Sequence, residues 1–197
     1  MGFFDDAPEP EPDEHVEEDF RSPPWAGPPE NEIGGTLPID RVVVNTGEVA
    51  IALVRFTAYT TGLEFSLVVR RAPDAGPRRV GRRLGGPLEE DPADGLRFGL
   101  GFSDGRKVLA DSWRGEGSDS PILWKLGGHG SERSWEQDYW LWPLPPPGEL
   151  TAVVSWPTLG PEERSVALDA GAILAAADRA VVLWPDDRPA FEDEPLI

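Results

Sequence analysis

Apolar residues alternate with polar or small residues in short segments along most of the chain. Residues 63–71 place their apolar side chains at every second position, and residues 96–102 repeat the pattern. Alternation with a period of two is typical of strands that bury one face. Further strands are predicted at 41–46, 48–60, 107–111, 122–126, 134–142, 150–156, 164–168 and 181–184.

Turn signals between these segments predict how consecutive strands connect. Thr61-Gly62 separates the segments that end at residue 60 and begin at residue 63, and the sequence SDGR separates those on either side of residues 103–106. Both are typical of hairpins. The predicted fold is therefore all-β, an antiparallel β-sandwich of immunoglobulin-like or jelly-roll-like type.

One short helix is predicted near the C-terminus. Residues 170–179 are rich in alanine, and Asp169 precedes them at the position where a carboxylate can accept from the free amides of a first helical turn. Ile173, Leu174 and Ala177 form an apolar stripe. We expect this helix to cover one end of the sandwich.

The first 32 residues differ sharply from the rest. They hold eleven acidic residues against one arginine, a local charge of −10 in a chain of net charge −18, together with seven prolines. Such a composition cannot bury enough apolar surface to offset the entropy of ordering. Residues 1–32 are predicted to be a disordered acidic leader, 33–185 a single β-sandwich domain, and 186–197 a second acidic tail.

Two aromatic islands interrupt the leader, Phe3-Phe4 at its start and Phe20 with the sequence PPW at residues 23–25. Acidic segments with spaced aromatic residues often act as docking peptides. The alternative is a solubilising tail whose aromatic rings fold back onto the domain that follows. The sequence leaves both interpretations open.

Several classes of chemistry have little support in the composition. The chain has no cysteine and only two histidines, His15 and His129, so a thiolate or three-histidine metal site cannot form within one chain. No catalytic signature stands out, and we expect neither a cofactor nor a bound metal. No apolar stretch approaches the roughly 20 residues that a membrane helix needs. The expected location is therefore cytoplasmic.

Three segments carry a resemblance. The sequences PPWAGPPEN at 23–31, YWLWPLPPPG at 139–148 and AVVLWP at 180–185, in this order of elements, resemble those of a group of uncharacterised actinobacterial proteins. The resemblance implies a bacterial, cytoplasmic protein. It implies no known activity, and therefore assigns no functional residue.

Six arginines lie close together in and after the segment 63–71. Guanidinium groups bind carboxylates and phosphates in bidentate geometry, so this cluster is a candidate anion clamp. The strongly negative net charge argues against nucleic acid as its ligand. The acidic leader is a better candidate, as a tethered competitor for the same arginines. The alternative is a solvated loop without a specific ligand. The six residues are Arg70, Arg71, Arg78, Arg79, Arg82 and Arg83.

Segment 134–142 carries a second candidate site. Alternation places Trp135, Gln137, Tyr139 and Leu141 on one face, and Glu136, Asp138, Trp140 and Trp142 on the other. Only one face can fill the core. The second set is a candidate binding strip in which two indole rings lie beside two carboxylates, although core packing accounts for most tryptophans of this kind. If the faces are inverted, Gln137 and Tyr139 belong to the strip instead.

The sequence thus predicts a noncatalytic interaction or scaffold module whose partner is another protein. Recognition would use the exposed strip or a sheet edge. The alternative is a carbohydrate-active module, either a sugar-binding domain or a hydrolase that uses Glu136 and Asp138, because glycosidases need two carboxyl groups beside the scissile bond.

Overall fold

A computed structural model of the chain describes residues 23–73, 95–110, 120–157, 160 and 162–185. Twelve strands and one helix occur in these residues. They are β1 (Glu32–Ile33), β2 (Gly35–Leu37), β3 (Arg41–Asn45), β4 (Val49–Ala58), β5 (Leu63–Arg71), β6 (Arg97–Gly101), β7 (Lys107–Leu109), β8 (Ile122–Gly130), β9 (Ser134–Trp142), β10 (Glu149–Ser155), β11 (Arg164–Asp169), α1 (Ala170–Ala177) and β12 (Val181–Val182).

The strands form two antiparallel sheets that face each other and a separate two-stranded ribbon. The larger sheet has the order β2-β4-β5-β9-β8, with β3 paired to β4 beside β2. The smaller sheet has the order β11-β10-β6-β7, and the ribbon pairs β1 with β12. The all-β, antiparallel sandwich predicted from the alternation is confirmed.

The core lies between the two large sheets and is centred on aromatic rings. Phe65 of β5 stacks on Phe56 and Tyr139 within its own sheet, with ring centroids 5.5 and 5.8 Å away. Across the core it meets Phe98 of β6 edge-on at 5.9 Å. Rings in this geometry add attraction beyond their area of burial. The inner face of β9 is therefore the one that carries Tyr139 and Leu141.

Strand β8 is longer than the sequence predicted. It continues through the glycine-rich stretch to Gly130, because β9 supplies a pairing partner as far as Trp135. The register shifts between Lys125 and Gly128. Glycine is unfavourable in a strand interior but common at such irregularities. The short strands β1 and β2 were not predicted either.

Helix α1 forms where the sequence predicted it. The carboxylate of Asp169 accepts from the Gly171 amide at 2.8 Å, which confirms the predicted N-cap. The helix packs against β2 and β4. A Cβ atom on Gly35 of β2 would lie 2.0 Å from the Ala176 carbonyl oxygen, so only glycine allows this close approach.

Part of the predicted leader contacts the domain. Residues 23–31, here called the strap, lie on the outer face of the larger sheet and lead directly into β1. The ring of Trp25 packs on the ring of Trp124 in the sheet, a contact that a composition averaged over 32 residues does not indicate. Residues 1–22 and 186–197, with the predictions of disorder and of a second acidic tail, lie outside the described residues.

Candidate functional site

A β-bulge places an arginine on the outer face of the larger sheet. The register between β4 and β5 shifts between Val54 and Thr57, so that Arg55 and Phe56 together oppose one residue, Phe65. Arg55 has a φ of 56°, a left-handed conformation that is uncommon for a residue other than glycine. An extra residue in one strand redirects the side chains that follow it. Here it leaves Phe56 in the core and turns Arg55 outward.

The outward arginine joins a network of polar side chains from β4, β5 and β9. Its Nη2 donates to Ser66 Oγ at 2.7 Å, to Glu136 Oε1, and to Asp138 Oδ1 at 3.3 Å. Ser66 in turn donates to Asp138 at 2.5 Å. Arg70 Nη2 lies 3.3 Å from the second oxygen of Glu136. We call Arg55, Ser66, Arg70, Glu136 and Asp138 the outer-face network.

The electrostatics of this network favour an ionised Glu136. The side chain is buried, and the hydrogen bond from Arg55 holds the pKa of its carboxyl below the ordinary value, with a further contribution from Arg70. A glycosidase general acid needs the opposite shift, because it must be protonated at neutral pH. The predicted pair Glu136 and Asp138 is thus held by two arginines, and Glu136 lacks the property of a general acid.

Another acid, Glu64, lies beside the network, and its pKa shifts in the direction opposite to that of Glu136. Burial raises the pKa of Glu64, and the negative charge of Asp138 adds to this effect. Tyr59 donates its hydroxyl to Glu64 at 3.3 Å. Burial and the nearby carboxylate raise the pKa of Tyr59 to about 12. This pair lies at the edge of Trp140, whose ring is 5.7 Å from that of Tyr59.

The predicted aromatic strip is not exposed as expected. Trp140 points to the outer face but is 0% exposed, and Trp142 is half-buried. The strap covers Trp140, whose indole nitrogen donates to the Pro24 carbonyl at 3.0 Å. Because the sequence contains no sign of which outward ring a distant segment covers, alternation alone predicts exposure here. The exposure predicted for Trp140 is therefore not observed.

The strap also accounts for one of the two aromatic islands. Trp25 meets the ring of Trp124 edge-on, with ring centroids 5.9 Å apart. The interpretation that the island folds back onto its own domain is therefore correct for Trp25. Phe3, Phe4 and Phe20 lie outside the described residues.

The exposed apolar residues gather on the two-stranded ribbon. Seven large apolar side chains in the described part of the chain are exposed, and five of them belong to β1, β12 and the two residues after β12. We call this set the apolar ribbon. Its members are between 41% and 60% exposed: Ile33, Val181, Val182, Leu183 and Trp184. The sequence predicts a strand at 181–184, but its apolar pattern gives no sign that these residues are exposed.

The predicted arginine cluster is only partly described. Arg70 and Arg71 end β5, and Arg70 donates to the Val69 and Trp135 carbonyls besides pairing with Glu136. Arg70 is thereby committed to the outer-face network, not to a free anion clamp. The remaining four positions, Arg78, Arg79, Arg82 and Arg83, lie outside the described residues, as does the contact predicted between this loop and the leader.

One cavity opens between the edges of the two large sheets, with a volume of about 230 Å³. Val44, Ile51, Val154 and Trp156 form its apolar wall. Glu162 and Arg164 lie at the same cavity and form an ion pair. Typical sites for drug-sized ligands measure about 300–1,000 Å³. The cavity is thus smaller than a usual small-molecule site.

Among the described residues, no group of three histidine, cysteine, aspartate or glutamate side chains is arranged to hold a metal ion. No helix in the same part of the chain is long and apolar enough to span a bilayer.

Comparison with known proteins adds no relative. No protein-family model, curated protein or solved structure matches the chain.

Proposed function

We propose that the protein is a noncatalytic interaction module that binds another protein through the apolar ribbon. The observation that carries this proposal is the concentration of five exposed large apolar residues on one small element. Single exposed apolar residues are ordinary on protein surfaces, whereas a contiguous group is typical of an interaction site.

The apolar ribbon is not needed to fill the domain's own core. Ile33, Val181 and Val182 are absent from the cluster of buried side chains between the sheets. The ribbon's shape comes from backbone pairing, and the Leu183 amide extends that pairing by donating to the Asn31 carbonyl at 2.7 Å. Apolar side chains on a hydrogen-bonded framework are available for a partner at little cost in ordering.

The charge of the chain indicates the chemistry of the partner. Residues 1–32 carry −10, and residues 186–197 carry five acids against one arginine, a charge of −4. In the sequence, residues 1–32 end at β1 and residues 186–197 follow shortly after Trp184, so both acidic segments adjoin the apolar ribbon along the chain. Two copies of a chain of net charge −18 repel each other, whereas a basic rim attracts it. The proposed partner is a different protein with an apolar patch bordered by arginine and lysine.

No second function is proposed. The carbohydrate alternative depended on exposed rings at Trp140 and Trp142 beside the acids Glu136 and Asp138. Trp140 is covered by the strap, and Glu136 has a lowered pKa.

The test compares two double variants of the full chain in pull-downs from native lysate. Ile33→Ser/Val181→Ser removes two side chains of the apolar ribbon. Val42→Ser/Leu109→Ser is the matched control, because these residues are 61% and 60% exposed but lie on other strands. Burying one such side chain is worth about 1.5–3 kcal/mol, so two lost contacts lower affinity at least about tenfold.

The expected result is a protein captured by the wild type and the control but lost with the ribbon variant, and less well captured as salt rises. The captured protein, once purified, must then bind the wild type and the control more tightly than the ribbon variant. Equal capture by both variants would contradict the proposal.

A further inference from the structure

We infer that the outer face of β8 and β9, beneath the strap, is a groove for proline-rich peptides. The strap occupies it as an internal ligand, and a proline-rich segment of a partner protein replaces the strap. We call this surface, formed by Trp124 and Trp140, the aromatic groove. It is separate from the apolar ribbon, so either proposal can fail alone.

The contact between the strap and Trp140 has the chemistry of proline-rich peptide recognition. The indole N–H of Trp140 donates to the carbonyl of Pro24 at 3.0 Å. Proline has no amide hydrogen, so a Pro-Pro segment cannot extend the sheet by normal pairing and presents its carbonyls and ring faces instead. Domains that bind such segments use aromatic grooves to receive them.

The ring of Trp25 supplies the second contact. It meets Trp124 edge-on at 5.9 Å. The Ala26 amide donates to the Pro23 carbonyl at 2.8 Å, so residues 23–26 form a turn with Pro24 and Trp25 at its centre. The segment that the groove binds is therefore short: two prolines followed by an aromatic residue. A partner segment needs this chemistry and no other feature of the leader.

The domain holds the groove in shape independently of the strap. Tyr59 packs edge-on against Trp140 at 5.7 Å. A Cβ atom on Gly62 would lie 2.4 Å from Cζ2 of Trp140, so the turn before β5 fixes the other side of the ring. Trp124 and Trp140 are directly paired across β8 and β9. Preorganised rings reduce the entropy cost of binding a peptide.

The strap can be exchanged because its firm attachment begins beyond the groove. Residues 23–29 are half-buried, and the first strand of the described chain starts at Glu32. There the Glu32 carboxylate accepts from the Thr60 amide at 2.9 Å. Local release of the strap thus leaves β1 in place. A tethered ligand has an effective concentration in the millimolar range, so it competes strongly with a free peptide.

The test uses the full chain and a fluorescent peptide of sequence PPWAGPP, which copies residues 23–29. Trp25→Ala weakens the internal ligand and frees the groove, while Val42→Ala removes an exposed apolar side chain on β3 and leaves the strap in place. Fluorescence polarisation measures peptide binding. We expect Trp25→Ala to bind the peptide at least tenfold more tightly than the wild type and Val42→Ala.

Two further probes test the specific contacts. Adding Trp140→Phe to Trp25→Ala removes the N–H donor and keeps an aromatic ring, and should weaken binding roughly 3- to 10-fold. The peptide AAWAGPP lacks the first two prolines, keeps the last two, and should bind more weakly than PPWAGPP. Circular dichroism verifies that each variant is folded.

Clear results would overturn the inference. These are a folded Trp25→Ala chain that does not bind the peptide, or binding that is indifferent to Trp140→Phe. If Trp25→Ala does not fold, the wild type is titrated with the peptide at about 1 mM, and the indole N–H resonances of Trp124 and Trp140 must shift. Unshifted resonances overturn the inference. So does a dimer formed by strap exchange with no peptide binding, because it assigns the groove to a second copy.

Discussion

Arg55 shows how one inserted residue organises the outer face. The apolar positions of β4 switch from odd numbers, as in Ile51 and Leu53, to even numbers at Phe56. This switch is visible in the sequence and could have revealed the bulge. It was missed because the segment 48–60 reads as one continuous apolar run. The ion pairs of Arg55 are made with β9, 81 and 83 residues further along the chain. No local sequence pattern predicts a contact over that separation.

The first prediction concerns the left-handed backbone of Arg55. Arg55→Ala and Arg55→Gly both remove the contacts to Glu136 and Asp138, but only glycine adopts a φ of 56° without strain. We expect the free energy of unfolding, measured with urea, to be about 1 kcal/mol higher for Arg55→Gly than for Arg55→Ala. A more stable alanine variant would contradict the bulge geometry.

The second prediction uses the lowered pKa of Glu136. A carboxylate with a lowered folded pKa stabilises the protein above its ordinary pKa of 4.5, and that contribution is lost as pH falls through the folded value. Glu136→Gln should therefore destabilise the chain at pH 7 by about 1–2 kcal/mol. The difference from the wild type should shrink as pH falls below 4.5. Urea unfolding over this pH range measures both effects.

Glu64 provides the control with the opposite sign. Its pKa is raised, so its contribution to stability is fully present below its ordinary value of 4.5 and is lost as pH rises through the folded value. Glu64→Gln should stabilise the chain at pH 7, and this gain should disappear in acid. If both variants responded to pH in the same direction, the assigned electrostatics would be wrong.

Individual elements follow local sequence signals closely. β5 has the bounds that its alternation predicted, and α1 begins after the predicted cap, Asp169. Alternation and helix capping involve only residues that are close in the sequence, so the sequence alone is enough to predict these elements. The strap behaves differently, because its partner Trp140 is 116 residues from Pro24. No local pattern indicates such a contact.

The third prediction concerns the turn that supports Trp140. In Gly62→Ala the new Cβ would lie 2.4 Å from the Trp140 ring and 2.6 Å from the Leu141 carbonyl oxygen. Because the backbone carbonyl cannot move aside easily, we expect a loss of about 1–3 kcal/mol in the free energy of unfolding. Gly127→Ala is the control, since nothing lies within 4 Å of its added Cβ. Similar losses in both variants would contradict the packing around Trp140.

At the scale of the whole molecule, charge and apolar surface lie in different parts of the chain. The terminal segments 1–32 and 186–197 together carry −14 of the net −18, while the five residues of the apolar ribbon lie between these segments in the sequence and carry no charge. Composition revealed the charge. The exposure of residues 181–184 could not be predicted, because valine and leucine are among the residues most often buried.

The fourth prediction follows from this separation. Replacing the nine acids of residues 1–22 by asparagine and glutamine should slow association with the basic-rimmed partner about tenfold at low salt, with little change in dissociation. Surface plasmon resonance at two salt concentrations measures both rates. A change confined to dissociation would mean that these acids contact the partner directly.

The most direct test of the central claim is site-specific photo-crosslinking of the full chain in cells. A benzophenone amino acid replaces Val181 in one variant and Val42 in the other, two exposed valines on different elements. The proposed function predicts an adduct with one other protein from position 181 and none from position 42. Equal adducts from both positions, or an adduct from position 181 only with a second copy of the chain, would contradict it.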